Sequence, residues 1–154
     1  MSIPLGAFRL VREASRHLLR RPVVGVAAAA RTADGKWVLI RRGDTGEWAL
    51  PGGTLEWGEM LKPAIERELW EEARVRVVAL GGVSGVYSRP DRDPRFHAVT
   101  LVVHATVTVP EGPPGNPVEI REVRLFSEEE LPSALGMGMT DMLARAKTGQ
   151  VYWE

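Results

Sequence analysis

The stretch from Leu50 to Val75 constrains the chain most, because a glycine turn leads directly into a helix that is rich in carboxylates. The turn is Pro51-Gly52-Gly53. It is followed by apolar residues at four-residue spacing, namely Leu61, Ile65, Leu69 and Ala73. That spacing predicts a helix with a single apolar stripe. Pro63 is compatible with the helix, since it falls in the first turn, where a backbone N–H has no intrahelical partner.

Three glutamates, Glu68, Glu71 and Glu72, fall within one arc of this predicted helix beside its apolar stripe. Carboxylates at positions i, i+3 and i+4 repel one another, so a cation is expected among them. Hard oxygen ligands suit Mg²⁺ or Mn²⁺, and a glycine turn lets the backbone approach a ligand closely. The residues therefore favour a divalent metal site over a solvated acidic helix face.

The same stretch resembles the Nudix box, a pattern written G-x5-E-x7-R-E-U-x-E-E-x-G-U in which U is aliphatic. Eight of its nine constrained positions match at the right spacing: Gly53, Glu59, Arg67, Glu68, Leu69, Glu71, Glu72 and Val75. One position departs, because Arg74 stands where the pattern has a glycine. A glycine there would be the helix C-cap, where φ is often positive. Arginine in the left-handed conformation costs about 1 kcal/mol, unless the turn is built differently.

The resemblance covers roughly Pro22 to Ala146 and implies an enzyme that hydrolyses a phosphoric anhydride bond with Mg²⁺ (or Mn²⁺) as cofactor. It implies that Glu68, Glu71, Glu72 and the backbone carbonyl of Gly52 ligate the metal. Glu71 and Glu72 are expected to be the direct ligands, whereas Glu68 is a metal ligand or the general base. Arg67 is expected to hold the site by pairing with a carboxylate of the box.

The general base has further candidates, since members of this family often take it from a glutamate on a later loop or strand. Glu119 and Glu122 are the leading candidates here, and Glu111 is a weaker one. For each of them the alternative is a solvated position at the edge of a strand.

The substrate implied by the resemblance is a nucleoside diphosphate linked to a further group X. Pro90 lies about fifteen residues after the box, as in the ADP-ribose pyrophosphatase branch, so ADP-ribose is the favoured substrate, with AMP and ribose 5-phosphate as products. NDP-sugars, (d)NTPs and dinucleoside polyphosphates stay open as alternatives. The predicted substrate-binding residues are those whose position or guanidinium group suits a phosphorylated ligand: Arg41, Arg42, Pro90, Arg92 and Arg95.

Two functions of other kinds also stay open. A nucleotide sensor without catalysis would show damaged box carboxylates or an added DNA-binding domain, and only Arg74 favours it. Removal of pyrophosphate from an RNA 5′ end would need a basic RNA-binding face, which only the N-terminal segment supplies.

Residues 1–21 are basic and amphipathic, and they predict a helix that packs on its own domain or on a dimer partner, in preference to a targeting or membrane-surface segment. Residues 22–154 predict a single domain. The formal net charge of +0 argues against stable binding of nucleic acid. No run is long enough to span a membrane. The sequence has 0 cysteines, as expected for a protein of the reducing cytoplasm. Dimers are frequent in the family that the sequence resembles, so a homodimer stays open.

The order of the remaining patterns predicts an α/β protein, a Nudix-type α/β/α sandwich with a mixed β-sheet. Two segments, Val75 to Val78 and Val83 to Ser88, are predicted as strand pieces that Gly81-Gly82 interrupts. Ser127 is predicted as the N-cap of a short helix limited by Pro132. The last helix is predicted from Thr140 to Lys147, and the aromatic tail after it is expected to dock on the domain or on a neighbour.

Overall fold

The computed structural model describes residues 21–154 and Ser15, so the helix predicted for residues 1–21 lies outside the described residues apart from Ser15 and Arg21. In chain order the elements are β1 (Val23–Thr32), β2 (Trp37–Arg42), β3 (Trp48–Ala49), β4 (Gly52–Thr54), α1 (Leu61–Ala73), β5 (Val77–Tyr87), β6 (Ala98–Val107), β7 (Ile120–Phe126), α2 (Met139–Thr148) and β8 (Tyr152–Trp153).

Strand β1 is the centre of a mixed sheet. It pairs in parallel with β6 and antiparallel with β2 and β4. Val26 to Ala30 are all buried, which explains why this strand is apolar on both faces. The sheet runs in the order β3-β2-β1-β6-β5-β8, with β4 beside β1 and β7 beside β2. Helix α1 packs on β1, β2, β4 and β7, and α2 packs on β5, which confirms the predicted α/β/α sandwich.

Helix α1 forms where the apolar spacing predicts it. Ile65, Leu69 and Ala73 are buried, whereas Leu61 in the first turn is 43% exposed. The buried part of the stripe turns the adjacent glutamates toward β4 and β7. Neither α1 nor α2, the two helices within residues 21–154, has the length and apolar content that crossing a bilayer requires.

Two predictions of secondary structure were wrong. Strand β5 continues through Gly81-Gly82, because its register against β6 shifts there and the extra residues are absorbed as bulges. Ser127 begins a turn and not a helix. Its backbone N–H does donate to the Glu130 side chain at 3.1 Å, but Pro132 disfavours a helical conformation at Leu131 and stops further turns.

The aromatic tail docks on the domain, as expected. Strand β8 pairs in parallel with the edge of β5, with Tyr152 opposite Gly85 and Trp153 opposite Val86. The rings of Tyr87 and Tyr152 lie 5.4 Å apart between centroids. This pairing places the last residues of the sequence beside the loop that follows β5.

Arg74 is the C-cap of α1 and adopts the left-handed conformation, with φ 53° and ψ 34°. The Arg74 N–H donates to the Trp70 carbonyl at 3.2 Å, and the next N–H, that of Val75, donates to the Leu69 carbonyl at 3.4 Å. The structure thus has the cap geometry that a glycine in the pattern would supply, and it places an arginine there in spite of the strain.

The strain predicts a difference between two variants. Arg74→Gly and Arg74→Ala both remove the contacts of the side chain, but only Ala keeps the left-handed penalty. We expect the free energy of unfolding of the Gly variant to be about 1 kcal/mol higher than that of the Ala variant. Urea unfolding of the two variants measures this difference, and equal free energies of unfolding would show that the backbone at Arg74 is not strained.

Candidate catalytic and metal-binding site

The three box glutamates of α1 line one cavity of about 370 Å³. Glu68 and Glu72 are buried, whereas the Glu71 side chain is 57% exposed. Gly52, Gly53 and Glu119 line the same cavity. The structure therefore brings together the predicted metal ligands and one of the two leading candidates for the base.

The glycine turn fits this helix because side chains have no room there. A Cβ on Gly52 would lie 2.2 Å from the carbonyl oxygen of Val26, and one on Gly53 would lie 2.3 Å from Glu68 Oε1. The Gly52 N–H donates to Glu72 Oε2 at 2.8 Å. The carboxylates of Glu72 and Glu68 therefore contact the glycine turn directly, which joins the turn to the helix.

Arg67 joins the helix to the segment before it. Its Nε and Nη2 donate to the two carboxylate oxygens of Glu59 at 2.9 Å each, and its Nη1 donates to Glu68 Oε1 at 2.9 Å. The guanidinium holds the pKa of Glu59 down to about 2, mainly through these hydrogen bonds. Arg67 thus makes the carboxylate pairing expected for it and gives Glu59 a structural partner.

Burial raises the pKa of Glu72 to about 8, and the neighbouring carboxylates of Glu68 and Glu119 add to the effect. Burial also raises the pKa of Glu68, against the opposing hydrogen bond from Arg67. Carboxylates that destabilise one another's charge in a partly buried cavity favour a bound cation.

The donor chemistry around the glutamates fits Mg²⁺ or Mn²⁺, since Glu68, Glu71, Glu72 and Glu119 offer carboxylate oxygens and Gly52 offers a backbone oxygen. Within residues 21–154 no group of three or more acidic, histidine or cysteine side chains is already arranged to hold an ion. Glu68 and Glu72 instead accept hydrogen bonds from Arg67 and Gly52. Mg²⁺ commonly keeps several waters and uses one or two carboxylates, so a complete protein cage is not required.

The structure separates the candidates for the general base. Glu119 lines the cavity with the box glutamates. Glu122 is half exposed and faces Arg41 at 3.7 Å, and Glu111 pairs with Arg76 at 2.9 Å. Of these three candidates, only Glu119 lines the cavity together with the glutamates of α1.

Of the predicted substrate-binding residues, Arg42, Arg92 and Arg95 line the cavity. Arg42 is buried and paired with Asp44 at 2.9 Å. Arg95 is half exposed and paired with Asp93 at 2.7 Å, so its guanidinium is the most accessible of the three. Arg41 pairs with Glu122, and Pro90 is exposed in the turn after β5; neither belongs to the lining of the cavity.

The buried Arg92 side chain forms ion pairs within the fold. Its side chain is 7% exposed and binds Asp141 at 2.7 Å and the carboxylate of Glu154. Glu154 also accepts the backbone N–H groups of Ser88 and Arg89, each at 2.6 Å. These bonds tie the loop after β5 to α2 and β8.

This network predicts a pH dependence of stability. Hydrogen bonds from Arg92 hold the pKa of Glu154 at about 2 against an ordinary 4.5. A lowered carboxyl pKa stabilises the fold above the unfolded value and loses that contribution as pH falls toward the folded value. Glu154→Gln should lower the free energy of unfolding by about 1–2 kcal/mol at pH 7, and the deficit should vanish as the pH approaches 2.

Urea unfolding at several pH values measures the deficit. Asp91→Asn is the matched control, because Asp91 in the same loop forms an exposed pair with Arg89, and exposed pairs contribute little. A deficit that stays constant with pH would contradict the prediction.

Sequence reasoning missed the apolar wall of the cavity, which is formed by Phe96, Met137, Met139 and Met142. Met137 has φ 53° and lies between Gly136 and Gly138. Arg95 links the parts of this wall, with its guanidinium 5.1 Å from the Phe96 ring centroid and its Nη2 3.3 Å from Met137 Sδ. The run Gly136-Met137-Gly138-Met139 was the available signal, since two closely spaced glycines indicate an irregular turn in the backbone.

Comparison with known proteins agrees with this fold. The model of the NUDIX domain family matches residues 20–146. An ADP-ribose pyrophosphatase of Methanocaldococcus jannaschii is 37% identical over 102 residues, 64% of this chain and 59% of that protein. A MutT-like protein of Streptomyces ambofaciens is 42% identical over 69 residues, 45% of this chain and 44% of that protein. The chain thus spans about half the length of these two relatives.

The crystal structure of a MutT NUDIX hydrolase from Burkholderia pseudomallei superposes with a TM-score of 0.68 at 28% identity, covering 82% of this chain and 98% of that one. A mixed sheet with an acidic helix beside a glycine turn defines a Nudix-type hydrolase fold. The chain belongs to the Nudix domain family.

Proposed function

We propose that the protein hydrolyses a pyrophosphate bond in a nucleoside diphosphate linked to a group X, with ADP-ribose cleaved to AMP and ribose 5-phosphate as the favoured reaction. The observation that carries the proposal is the mixed lining of one cavity. It combines the three glutamates of α1 with Phe96 and three methionines. The carboxylates suit metal-bound phosphates, and the apolar side chains suit the flat faces of a nucleobase.

Glu68, Glu71, Glu72 and the carbonyl of Gly52 would hold Mg²⁺ or Mn²⁺. A bound divalent ion supplies positive charge that offsets the phosphate oxygens and lowers the pKa of water. Glu119 accepts a proton from the attacking water, acting as the general base. Arg67 keeps Glu68 in place through their 2.9 Å hydrogen bond.

The apolar wall and Arg95 bind the nucleoside end of the substrate. Arg95 is half exposed in the cavity and presents N–H donors to a phosphate or ribose oxygen. The base packs on Phe96 and Met137. ADP-ribose is favoured because Pro90 lies where that branch has a proline and because the Methanocaldococcus relative bears that name. Pro90 would shape the loop, since it is exposed in a turn.

We further propose that the protein acts on this small nucleotide in the cytoplasm and forms a homodimer. Trp153 on the edge strand β8 is 73% exposed, which is unusual for a tryptophan and suits a contact between subunits. Sedimentation velocity measures the oligomeric state, and a monomer at micromolar concentration would refute the dimer.

Product analysis on a substrate panel tests the function. The panel holds ADP-ribose, an NDP-hexose, a dNTP, a dinucleoside polyphosphate and a 5′-triphosphate RNA, each with Mg²⁺ and with Mn²⁺. AMP and ribose 5-phosphate from ADP-ribose, with little product from the others, is the expected result. Preferential cleavage of another compound would replace ADP-ribose, and nucleotide binding without any cleavage would favour the sensor.

A further inference from the structure

Arg74 makes contacts that a glycine at this position cannot make. Its Nε donates to the carbonyl oxygen of Pro113 at 3.3 Å, and its guanidinium lies 5.1 Å from the Trp70 ring centroid. Pro113 belongs to the loop of residues 110–118, which connects β6 to the segment that enters β7. The arginine that replaces the box glycine therefore reaches across to a different part of the chain.

The backbone around Arg74 binds the same loop. The Arg74 carbonyl accepts the N–H of Glu111 at 2.9 Å, and the Glu71 carbonyl accepts the N–H of Gly115 at 3.0 Å. The C-terminal end of α1, where carbonyls lack intrahelical partners, is thereby satisfied by the loop. Most residues of this loop are exposed, so these few contacts carry its attachment to the helix.

Gly115 is matched to Arg74. A Cβ at Gly115 would lie 2.7 Å from Arg74 Nη2 and 2.9 Å from the Glu71 carbonyl oxygen. The loop backbone thus packs directly against the guanidinium. This close approach leaves no space for a side chain at position 115 while Arg74 occupies its present place.

The docked loop leads straight to Glu119. The Asn116 carbonyl accepts the N–H groups of Glu119 and Ile120 at 3.1 and 2.9 Å. A second cavity of about 310 Å³ lies between loop and helix, and Arg74, Gly115, Asn116 and Glu119 line it together with the three glutamates of α1. The position of the Glu119 carboxylate is therefore coupled to the attachment of the loop.

We propose that Arg74 is a positioning residue: it docks the loop of residues 110–118 on the C-terminal end of α1 and thereby holds Glu119 against the glutamates. The catalytic part of this inference rests on the proposed function, whereas the docking part does not. Arg74 itself does not touch the substrate.

Hydrogen–deuterium exchange of the metal-free protein tests the docking. Arg74→Gly keeps the favourable cap and removes only the side chain, so misfolding is not expected. Exchange in peptides covering residues 108–119 should become about five- to tenfold faster, because one hydrogen bond and one cation–π contact are lost. Unchanged exchange there would overturn the proposal.

The matched control is Arg31→Ala. Arg31 also stacks on a tryptophan, 4.6 Å from the Trp37 ring centroid, and also donates to a backbone carbonyl, that of Gly35 at 3.1 Å. It lies at the far end of β1 from Gly25 to Ala27, which line the active cavity. Exchange of residues 108–119 should stay as in the wild type.

Steady-state kinetics tests the positioning. In Arg74→Gly, kcat should fall about tenfold or more with KM nearly unchanged, since a displaced base slows the chemical step without removing a substrate contact. Arg74→Lys should recover part of the loss, and Arg31→Ala should keep the wild-type kcat. Faster loop exchange with a wild-type kcat would overturn the positioning role. A wild-type protein that cleaves nothing on the panel would refute the proposed function, while the exchange result still decides the docking.

Discussion

Glu72→Gln should lower the metal-dependent kcat by about 10³-fold, which corresponds to several kcal/mol of lost charge stabilisation. Glu72 is the most deeply placed of the three glutamates and faces both cavities. Its Oε2 accepts the Gly52 N–H at 2.8 Å, and a glutamine oxygen can accept the same bond. The substitution therefore removes the charge while leaving the link between turn and helix.

The melting temperature of the metal-free variant should equal or exceed that of the wild type, because burial raises the pKa of Glu72 to about 8 and a neutral glutamine avoids the cost of burying a carboxylate there. Glu71→Gln should also lose most of its turnover if Glu71 is a direct ligand. Isothermal titration with Mn²⁺ measures the metal affinity of each variant, and steady-state kinetics measures its turnover.

Glu66→Gln is the matched control on the same helix. Glu66 is exposed and pairs with Lys62 at 4.0 Å, so its variant should keep both turnover and metal affinity. Near-normal turnover in both Glu71→Gln and Glu72→Gln would refute the metal assignment. A loss that is equally large in Glu66→Gln would show that any charge change on α1 is damaging.

Glu119→Gln should lower kcat by about 10²-fold or more while Mn²⁺ affinity stays close to that of the wild type, as expected for a general base. Glu119 lines both cavities beside the box glutamates. The Gly43 N–H donates to the Glu119 carbonyl oxygen at 2.6 Å. A Cβ at Gly43 would lie only 2.0 Å from the Val118 carbonyl oxygen, so the backbone is closely held there.

Glu122→Gln is the control, since Glu122 pairs with Arg41 on the outside of β7 and both side chains are about half exposed. It should keep the wild-type kcat. A large loss in Glu122→Gln with little change in Glu119→Gln would reverse the assignment. Pre-steady-state rates decide whether the loss is in the chemical step.

Much of the site was predictable from local spacing. The arc of Glu68, Glu71 and Glu72 follows from 3.6 residues per turn, and the pairing of Arg67 with box carboxylates was expected. The structure adds the reason for Gly53, whose missing side chain makes room for the Glu68 carboxylate. Contacts of this kind join residues that are distant in sequence, so periodicity alone does not reveal them.

Predictions about loops were less complete for a physical reason. Arg92 was a candidate for substrate binding, but the fold gives it Asp141 and Glu154 as partners from two elements much later in the chain. The wall formed by Phe96 and Met137 likewise combines two loops. Neither pairing leaves a periodic trace in the sequence, because loop residues follow no repeat.

The helix, its carboxylate arc, the glycine turn and the family could all be predicted from the sequence, because each depends on spacing within one short segment. The tertiary structure was needed to show which of Glu119 and Glu122 lies in the cavity, since Glu119 just before β7 lines it, whereas Glu122 on β7 is half exposed and pairs with Arg41. It also shows what the Arg74 side chain contacts. The strained backbone at Arg74 is local, but the loop that its side chain contacts, which includes Pro113, comes from a distant part of the chain.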